Sequence, residues 1–254
     1  MLNPGTLYIV ATPIGNLADL TPRAVTVMQQ VALLAVEDTR HSQILLRHAG
    51  ITTPCESVHE HNEENRVPHL IHRLLAGSSV ALLSDAGTPL ISDPGFQLVR
   101  AAHQHHIPVV PIPGASAVIC ALSASGLATD RFVFEGFLPA KSAARKRQLQ
   151  TFLHETRTSV FFESSHRLIE SIADFCEVLG GERTVVLARE LTKRFETIRH
   201  TTLAELYQQL QQDPDQTKGE MVLLLAGVPP QAPEQQEARR VLQILLTNGL
   251  SSRD

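Results

Sequence analysis

The chain has 254 residues, of which 43% are apolar and 19% are charged, and its formal net charge is −4. This balance indicates a globular protein with one large or two modest cores, and it excludes a disordered chain and a protein coated in positive charge. The longest apolar runs, such as residues 80–83 and 222–226, are far too short to cross a membrane. The N-terminus has no basic-then-apolar secretion signal, so the expected location is the cytoplasm.

Charge is distributed unevenly along the chain. Residues 131–200 contain 12 Lys and Arg against 9 Asp and Glu, whereas the segments on both sides are net acidic. A basic cluster lies in this middle segment and consists of Lys141, Arg145, Lys146 and Arg147. Two interpretations stay open, because such a cluster either binds a polyanion or forms a solvated helix face.

The first strand is predicted at residues 6–11, and Pro22 begins the first helix. Between them lies a turn that contains Pro13 and Gly15 and that does not form the GxGxxG fingerprint of dinucleotide-binding folds. A strand that ends in such a turn indicates the carboxyl edge of a sheet, where open α/β folds bind ligands.

A second strand is predicted at residues 31–36, directly before Glu37, Asp38 and Arg40. Charged side chains at the end of a strand are well placed for a functional site. Asp38 is also suited to cap the helix that follows, which is predicted to run to about residue 48. Both interpretations of Asp38 stay open.

No metal site is predicted. Cys55, Cys120 and Cys176 are an odd number without CxxC spacing, which supports neither a disulfide framework nor a zinc ribbon. His59 and His61 share one face if they lie on a strand, but no third ligand has convincing spacing. These two histidines are interpreted as polar surface or substrate contacts.

The longest loop follows a buried strand predicted at residues 80–83. Its ten residues, 84–93, are rich in Gly, Pro, Ser, Thr and Asp. Asp93 is predicted to be the N-cap of the next helix and Pro94 its first residue. A loop of this length at the carboxyl end of a strand predicts a ligand site.

A short strand at about residue 109, a stiff PIPG corner at 111–114 and a helix of small residues through Ser125 follow. Small residues at the start of that helix allow a ligand to approach the backbone N–H groups closely. Tight packing of the helix against its neighbours is the alternative explanation.

Strands and helices alternate up to this point, which predicts a mostly parallel sheet. The second half has five further strands, predicted at residues 132–135, 159–163, 184–188, 196–201 and 220–225. The third and fourth of these are too close for a helix between them, so they indicate a hairpin and a mixed sheet. Helices are expected at residues 143–154, 166–179 and 203–212. The prediction is an α/β fold with an N-terminal domain at 1–115, a C-terminal domain at 116–228 and a loosely attached tail at 229–254.

Eight loop motifs, spread in order over about residues 5–228, resemble those of the tetrapyrrole-methylase-like superfamily. They are TPIGNLADLT at 12–21, AVEDTR at 35–40, LSDAGTPLISDPG at 83–95, PIPGAS at 111–116, FEGFLP at 134–139, ESSHR at 163–167, LARELTK at 187–193 and GEMV at 219–222. EDTR, ESSHR and ARELTK narrow the resemblance to the ribosomal branch, whose members 2′-O-methylate a cytidine ribose in 16S ribosomal RNA. The family usually carries a further basic helical segment at its C-terminus, where this sequence ends at Asp254.

This resemblance implies two α/β domains of the tetrapyrrole methylase type, with S-adenosylmethionine bound in the cleft between them. It also implies a homodimer that acts on 16S rRNA or the 30S subunit, without a membrane or a metal. By motif position, the implied donor contacts are Pro13, Ala86, Gly87, Thr88, Ile91, Ser116 and Ala117, and, at less constant spacing, Glu163 and Leu191. Tetrapyrrole methylases usually have Asp where this chain has Thr88, so we expect Asp85 to take over that polar contact.

Transfer of a methyl group to a ribose hydroxyl is faster when a side chain accepts the proton of that hydroxyl. Asp38, His61 and Glu190 are the candidates, and an ion pair between Asp38 and Arg40 is the alternative role for Asp38. The residues expected to hold the RNA backbone are Arg40, Arg167, Arg189 and Lys193, with Lys141, Arg145, Lys146 and Arg147 extending the contact. Two other functions stay open, a C-methyltransferase acting on a tetrapyrrole of the uroporphyrinogen or precorrin type and a non-catalytic RNA-binding module.

Overall fold

The computed structural model describes residues 2–59, 61–229, 241–245 and 247. These residues form two five-stranded sheets, one from each half of the chain. Most of the predicted tail at 229–254 lies outside the described residues. Within them, every helix is too short or too polar to span a membrane.

The first sheet is parallel throughout, as predicted, with the strand order β3-β2-β4-β1-β5. Its strands are β1 (Leu7–Val10), β2 (Leu33–Val36), β3 (Cys55–Ser57), β4 (Val80–Leu83) and β5 (Val109–Ile112), and its helices are α1 (Pro22–Gln30), α2 (Thr39–His48), α3 (Glu63–Leu75) and α4 (Phe96–Gln104). β2 and β4 are buried at all four positions, because helices cover both faces of the sheet. β1 and β4 pair at its centre, so the loops that follow them meet at the same edge.

The second sheet is mixed, as predicted, with the strand order β6-β7-β10-β8-β9. Its strands are β6 (Phe132–Phe137), β7 (Thr158–Glu163), β8 (Thr184–Arg189), β9 (Thr197–Thr202) and β10 (Met221–Leu225), and the helices of this half are α5 (Ala117–Ser125), α6 (Ser142–Leu149), α7 (Leu168–Leu179) and α8 (Leu203–Gln212). β6 and β7 are parallel, and the other three pairs are antiparallel. The β8–β9 pair is the hairpin that the short spacing predicted.

Helix α5 belongs with the second sheet although it directly follows β5 of the first. Its buried Val118, Ala121 and Leu122 lie in one apolar cluster with Val186 of β8 and Val222 of β10. The chain therefore passes from one sheet to the other in the four residues between β5 and α5. The domain boundary expected at 115/116 falls in this crossing and stays a prediction.

The start of α4 differs from the prediction. The helix begins at Phe96 with Gly95 as N-cap, so Asp93 does not cap it and Pro94 is not its first residue. The cap comes from another helix: the buried carboxylate of Glu63 in α3 accepts hydrogen bonds from the backbone N–H groups of Gln97 (2.9 Å) and Leu98 (3.2 Å). A carboxylate at this position satisfies the unpaired amides and complements the helix dipole. The loop after β4 is therefore longer than predicted, and the Asp93 side chain is available for another role.

Candidate active site

A cavity of about 420 Å³ lies between the two sheets, and we call it the main cavity. The first half of the chain contributes the loops after β4 and β5, and the second half contributes the ends of β7, β8 and β10. Eight of the ten residues predicted to contact the donor line it, namely Ala86, Gly87, Thr88, Ile91, Ser116, Ala117, Glu163 and Leu191. The structure thus brings together residues that are up to 105 positions apart in the sequence, from Ala86 to Leu191.

Backbone hydrogen bonds fix the loop that forms one wall of the main cavity. Thr12 and Gly87 bond reciprocally, with N–O distances of 2.8 and 3.1 Å. The Thr12 hydroxyl donates to the Ser84 carbonyl at 3.2 Å, and the Thr88 hydroxyl donates to the Ala115 carbonyl at 3.1 Å. These contacts tie the loops after β1, β4 and β5 to each other, so this wall is formed before a ligand arrives.

The same loop contains unusual backbone conformations. Leu90 and Ser92 have φ values of 73° and 66°, in the left-handed region that side chains other than Gly rarely adopt. Such residues cost on the order of 1–3 kcal/mol each and concentrate at ligand-binding sites. Their presence beside the main cavity supports a binding role for this loop.

Asp93 is a cavity residue that the sequence analysis missed. It is one of the residues that line the main cavity. Burial, followed by the nearby negative charge of Glu37, raises the pKa of Asp93 to about 6, although a hydrogen bond with Ser84 opposes the shift. The sequence did place Asp93 in the predicted ligand loop, but the residue was interpreted as a helix cap and not as a ligand contact.

Glu163 is almost completely buried at the end of β7 and lines the main cavity. Its carboxylate accepts hydrogen bonds from Arg167 Nε (2.5 Å), from Ser171 Oγ (2.6 Å) and from the Ser164 backbone N–H (2.8 Å). Both carboxylate oxygens are therefore used inside the protein. Glu163 holds the Ser164–Arg167 turn in place at the edge of the cavity.

A second cavity, of about 360 Å³, adjoins the main cavity and shares Ile14, Ala86 and Glu220 with it. Pro13 and Asp85, the other two predicted donor contacts, line this second cavity. Asp85 Oδ1 accepts a hydrogen bond from the backbone N–H of Asp38 at 3.3 Å.

The three candidate bases line neither cavity. Asp38 caps α2 through the Arg40 backbone N–H (2.8 Å) and pairs with the Arg40 guanidinium (3.1 Å), so both structural roles considered for it are present. These Arg40 hydrogen bonds lower the pKa of Asp38, which makes it a weak base. The ring of His61 is exposed and lies 6.0 Å from that of His59.

The third candidate base, Glu190, is engaged by its neighbours. Its Oε1 accepts hydrogen bonds from Lys193 Nζ and from the Glu220 backbone N–H, both at 2.9 Å. Partial burial alone would raise the pKa of Glu190, but these hydrogen bonds outweigh it and lower the pKa below its ordinary value. Glu190 therefore fixes the segment between β8 and β9 rather than offering a free base.

The predicted RNA contacts differ greatly in exposure. Arg40, Lys141 and Arg147 are exposed, and the Arg40 side chain is 89% accessible. The others are paired inside the protein or at its surface: Lys146 with Glu177 and Asp174, Arg167 with Glu163, and Lys193 with Glu190 and Glu220.

Two of the predicted RNA contacts, Arg145 and Arg189, have buried side chains. Arg145 has no accessible side-chain surface, and its guanidinium pairs with Asp174 at 2.6 Å. Arg189 is 9% exposed and donates hydrogen bonds to the carbonyls of Lys218 (3.1 Å) and Asp215 (3.4 Å). Neither side chain can reach a phosphate without breaking these contacts. Among the residues described, no group of three or more His, Cys, Asp or Glu side chains could hold a metal ion.

Comparison with known proteins gives a consistent result. Residues 6–207 match the family of tetrapyrrole (corrin/porphyrin) methylases. The chain is 57% identical over 250 residues to ribosomal RNA small subunit methyltransferase I of Pseudomonas aeruginosa, covering 96% of this chain and 88% of that protein. It is 56% identical over 242 residues to the protein of the same name from Vibrio cholerae, covering 94% and 84% respectively.

Solved structures share the fold at low sequence identity. The uroporphyrin-III C-methyltransferase of Thermus thermophilus, complexed with S-adenyl homocysteine, superposes with a TM-score of 0.59 at 18% identity, covering 87% of this chain and 97% of that one. The methyltransferase CobJ gives a TM-score of 0.64 at 17% identity, covering 89% and 98%. Together with the loop motifs and the two α/β domains, these matches show that the chain belongs to the tetrapyrrole methylase family, in the group named ribosomal RNA small subunit methyltransferase I.

Proposed function

We propose that this chain transfers a methyl group from S-adenosylmethionine to the ribose 2′-oxygen of a cytidine in 16S ribosomal RNA. The observation that carries the proposal is the main cavity, which gathers eight predicted donor contacts in a chain 57% identical to a ribosomal RNA methyltransferase. A solved structure of the same fold, described as a complex with S-adenyl homocysteine, supports this choice of donor. The proposal places the enzyme in the cytoplasm.

The main cavity fits this donor in size and chemistry. Its volume of about 420 Å³ lies within the usual range for small-molecule sites. Ile14, Ala188 and Leu191 give it an apolar wall that suits an adenine ring, and Asp93 is an acidic lining residue that suits hydroxyl or ammonium groups. When bound, S-adenosylmethionine supplies a methyl group on an electrophilic sulfonium. The walls of the cavity would hold the bound donor in a fixed orientation towards the acceptor.

The proposal predicts that Asp93→Asn weakens donor binding about fivefold at pH 8, because a hydrogen bond to a charged group is about 1 kcal/mol stronger than one between neutral groups. The pKa of Asp93 is about 6, so the wild-type carboxylate is ionised at pH 8 and mostly protonated at pH 5. The difference between variant and wild type is therefore expected to shrink as the pH falls through 6. Calorimetric titration measures both affinities.

Asp85→Asn is the matched comparison, because Asp85 lines the second cavity and not the main one. If Asp85→Asn loses donor affinity and Asp93→Asn does not, the polar contact to the donor comes from Asp85, as the motif position implied, and the prediction for Asp93 is wrong.

Transfer of labelled methyl groups tests the function directly. The protein is incubated with labelled S-adenosylmethionine and with naked 16S RNA, assembled 30S particles or uroporphyrinogen. Incorporation at a cytidine ribose of the RNA or of the particle supports the proposal. Incorporation only into uroporphyrinogen would establish the tetrapyrrole C-methyltransferase, and the absence of any heat on titration with the donor would establish a non-catalytic module.

For RNA binding, the proposal retains the exposed Arg40, Lys141 and Arg147 as contacts to the phosphate backbone. Each phosphate contact that is removed is expected to lower the slope of log affinity against log salt concentration by about 1. The slope of Arg40→Ala is therefore compared with that of Arg66→Ala, an exposed arginine on α3, which packs on the opposite face of the first sheet. If the Arg40→Ala variant and the wild type have equal slopes, Arg40 does not contact a phosphate of the RNA.

The homodimer implied by the family also remains a proposal. Light scattering on the purified chain measures its molar mass, and a mass of 27.8 kDa would correspond to a monomer and contradict it.

A further inference from the structure

The second cavity has the position expected for the acceptor. It shares Ile14, Ala86 and Glu220 with the main cavity, so a group bound in one lies against the contents of the other. Its volume of about 360 Å³ is within the range of sites for small molecules and single residues. Proteins that recognise one nucleotide of an RNA commonly bind it unstacked from its neighbours.

The first turn of α2 presents His41 to the second cavity. The side chain is 67% exposed, and its Nδ1 lies 3.8 Å from Asp85 Oδ2. The other carboxylate oxygen of Asp85 is held by the Asp38 backbone N–H, which fixes the direction in which Asp85 faces. An imidazole whose Nδ1 is turned towards a carboxylate offers its Nε2 to a substrate. The contact is longer than a hydrogen bond, and such contacts commonly shorten when a substrate binds.

The rest of the second cavity suits a flat, partly polar group. Pro13, Leu17 and Ile44 contribute apolar surface, and the Ile44 side chain is 64% exposed, so it is accessible to a bound group. Apolar side chains at the mouth of a pocket can contact the face of an unstacked base. Lys193 also lines the cavity and places a positive charge near the bound group.

On the basis of the proposed function, we propose that the second cavity binds the acceptor nucleoside and that His41, positioned by Asp85, removes the proton of its hydroxyl. The O–H bond of the ribose breaks and its proton moves to His41 Nε2. The electron pair left on the oxygen forms the bond to the methyl carbon, and the pair of the broken carbon–sulfur bond stays on the sulfur. His41 later releases the proton to water.

Several charged groups face His41 from the elements packed around it. Glu37 at the end of β2 and Asp85 after β4 are the acids near its ring, and Glu37 in turn interacts with His59. Glu220 and Lys193 of the second domain stand across the cavity and pair with each other at 2.9 Å. On its own helix, Asp38 and Arg40 form a closed ion pair. A protonated imidazole cannot accept a proton, so the rate of transfer is expected to fall towards acid pH.

His41→Gln tests the inference, with His48→Gln as control because His48 is an exposed histidine of the same helix that lines neither cavity. In His41→Gln we expect kcat to fall about 100-fold and the acid limb of its pH profile to disappear, since a positioned base commonly contributes that factor. Donor affinity by calorimetry is expected to match that of wild type. Ile44→Ala is expected to raise KM and the directly measured Kd for RNA while kcat is kept.

The outcomes separate this inference from the proposed function. A wild-type chain that binds the donor but does not methylate RNA overturns the proposed function, and this inference with it. A wild-type chain that methylates RNA, with a His41→Gln variant that keeps its rate and its pH profile, overturns this inference alone. Rescue of the Gln variant by added imidazole would further support the role as a base.

Discussion

Arg145→Ala is expected to destabilise the protein by about 3 kcal/mol, because Oδ2 of the buried Asp174 carboxylate loses its guanidinium partner, while Ser142 and Lys146 contact Oδ1. The Arg145 side chain is completely buried, with Nη2 at 2.6 Å and Nε at 2.7 Å from Asp174 Oδ2. The same guanidinium donates to the carbonyls of Pro139 and Ala140, so it also holds the segment before α6. Thermal unfolding is expected about 10 °C below that of the wild type.

Arg147→Ala is the matched control, since Arg147 is an exposed arginine two positions along the same helix. A surface substitution of this kind changes stability by about 0.5 kcal/mol or less. Replacing both partners, as Arg145→Met with Asp174→Leu, is expected to recover most of the loss because no unpaired charge remains. An Arg145→Ala variant that unfolds at the wild-type temperature but binds RNA more weakly would instead restore the RNA-binding role that the charge pattern suggested.

Local sequence signals were sufficient for most of the fold. The four consecutive apolar residues of β4 predicted a strand covered on both faces, the apolar run at residues 31–36 predicted β2, and Pro22 after Thr21 correctly marked the start of α1. The start of α4 could not be predicted in this way, because its cap is Glu63, 34 residues earlier in the chain than Gln97. A contact of that sequence separation leaves no local pattern.

The candidate site was predicted less completely, and the reason is again tertiary. The resemblance of the loop motifs to the family identified residues of both halves of the chain that line the main cavity. It did not separate Pro13 and Asp85, which line the second cavity. The cluster of Lys and Arg in α6 could not reveal that α7 covers Arg145. Its buried partner Asp174 lies 29 residues further along the chain, so the local charge pattern gives no information about it.

Gly87→Val is expected to weaken donor binding roughly 100-fold, which corresponds to about 2.7 kcal/mol. Gly87 lies on the wall of the main cavity with φ at +80°, a conformation that a β-branched residue adopts only under strain. A Cβ atom there would also stand 3.3 Å from Ile14 Cγ2, so the neighbouring side chain would have to move. Rotation of the Ala86–Thr88 segment to relieve the strain would break the reciprocal bonds with Thr12 and move the donor contacts.

Gly77→Val separates this local effect from general backbone strain. Gly77 has φ at +89° in the turn before β4, an added Cβ would meet no atom within 4 Å, and the residue lines neither cavity. Both variants carry a similar conformational penalty, on the order of 1–3 kcal/mol, so both are expected to unfold at lower urea concentration than the wild type. Only Gly87→Val is expected to lose affinity for S-adenosylmethionine in calorimetric titration. Equal donor affinity in the two variants would mean that donor binding does not depend on this wall of the main cavity. Both variants carry the backbone strain, and they differ only in where it lies.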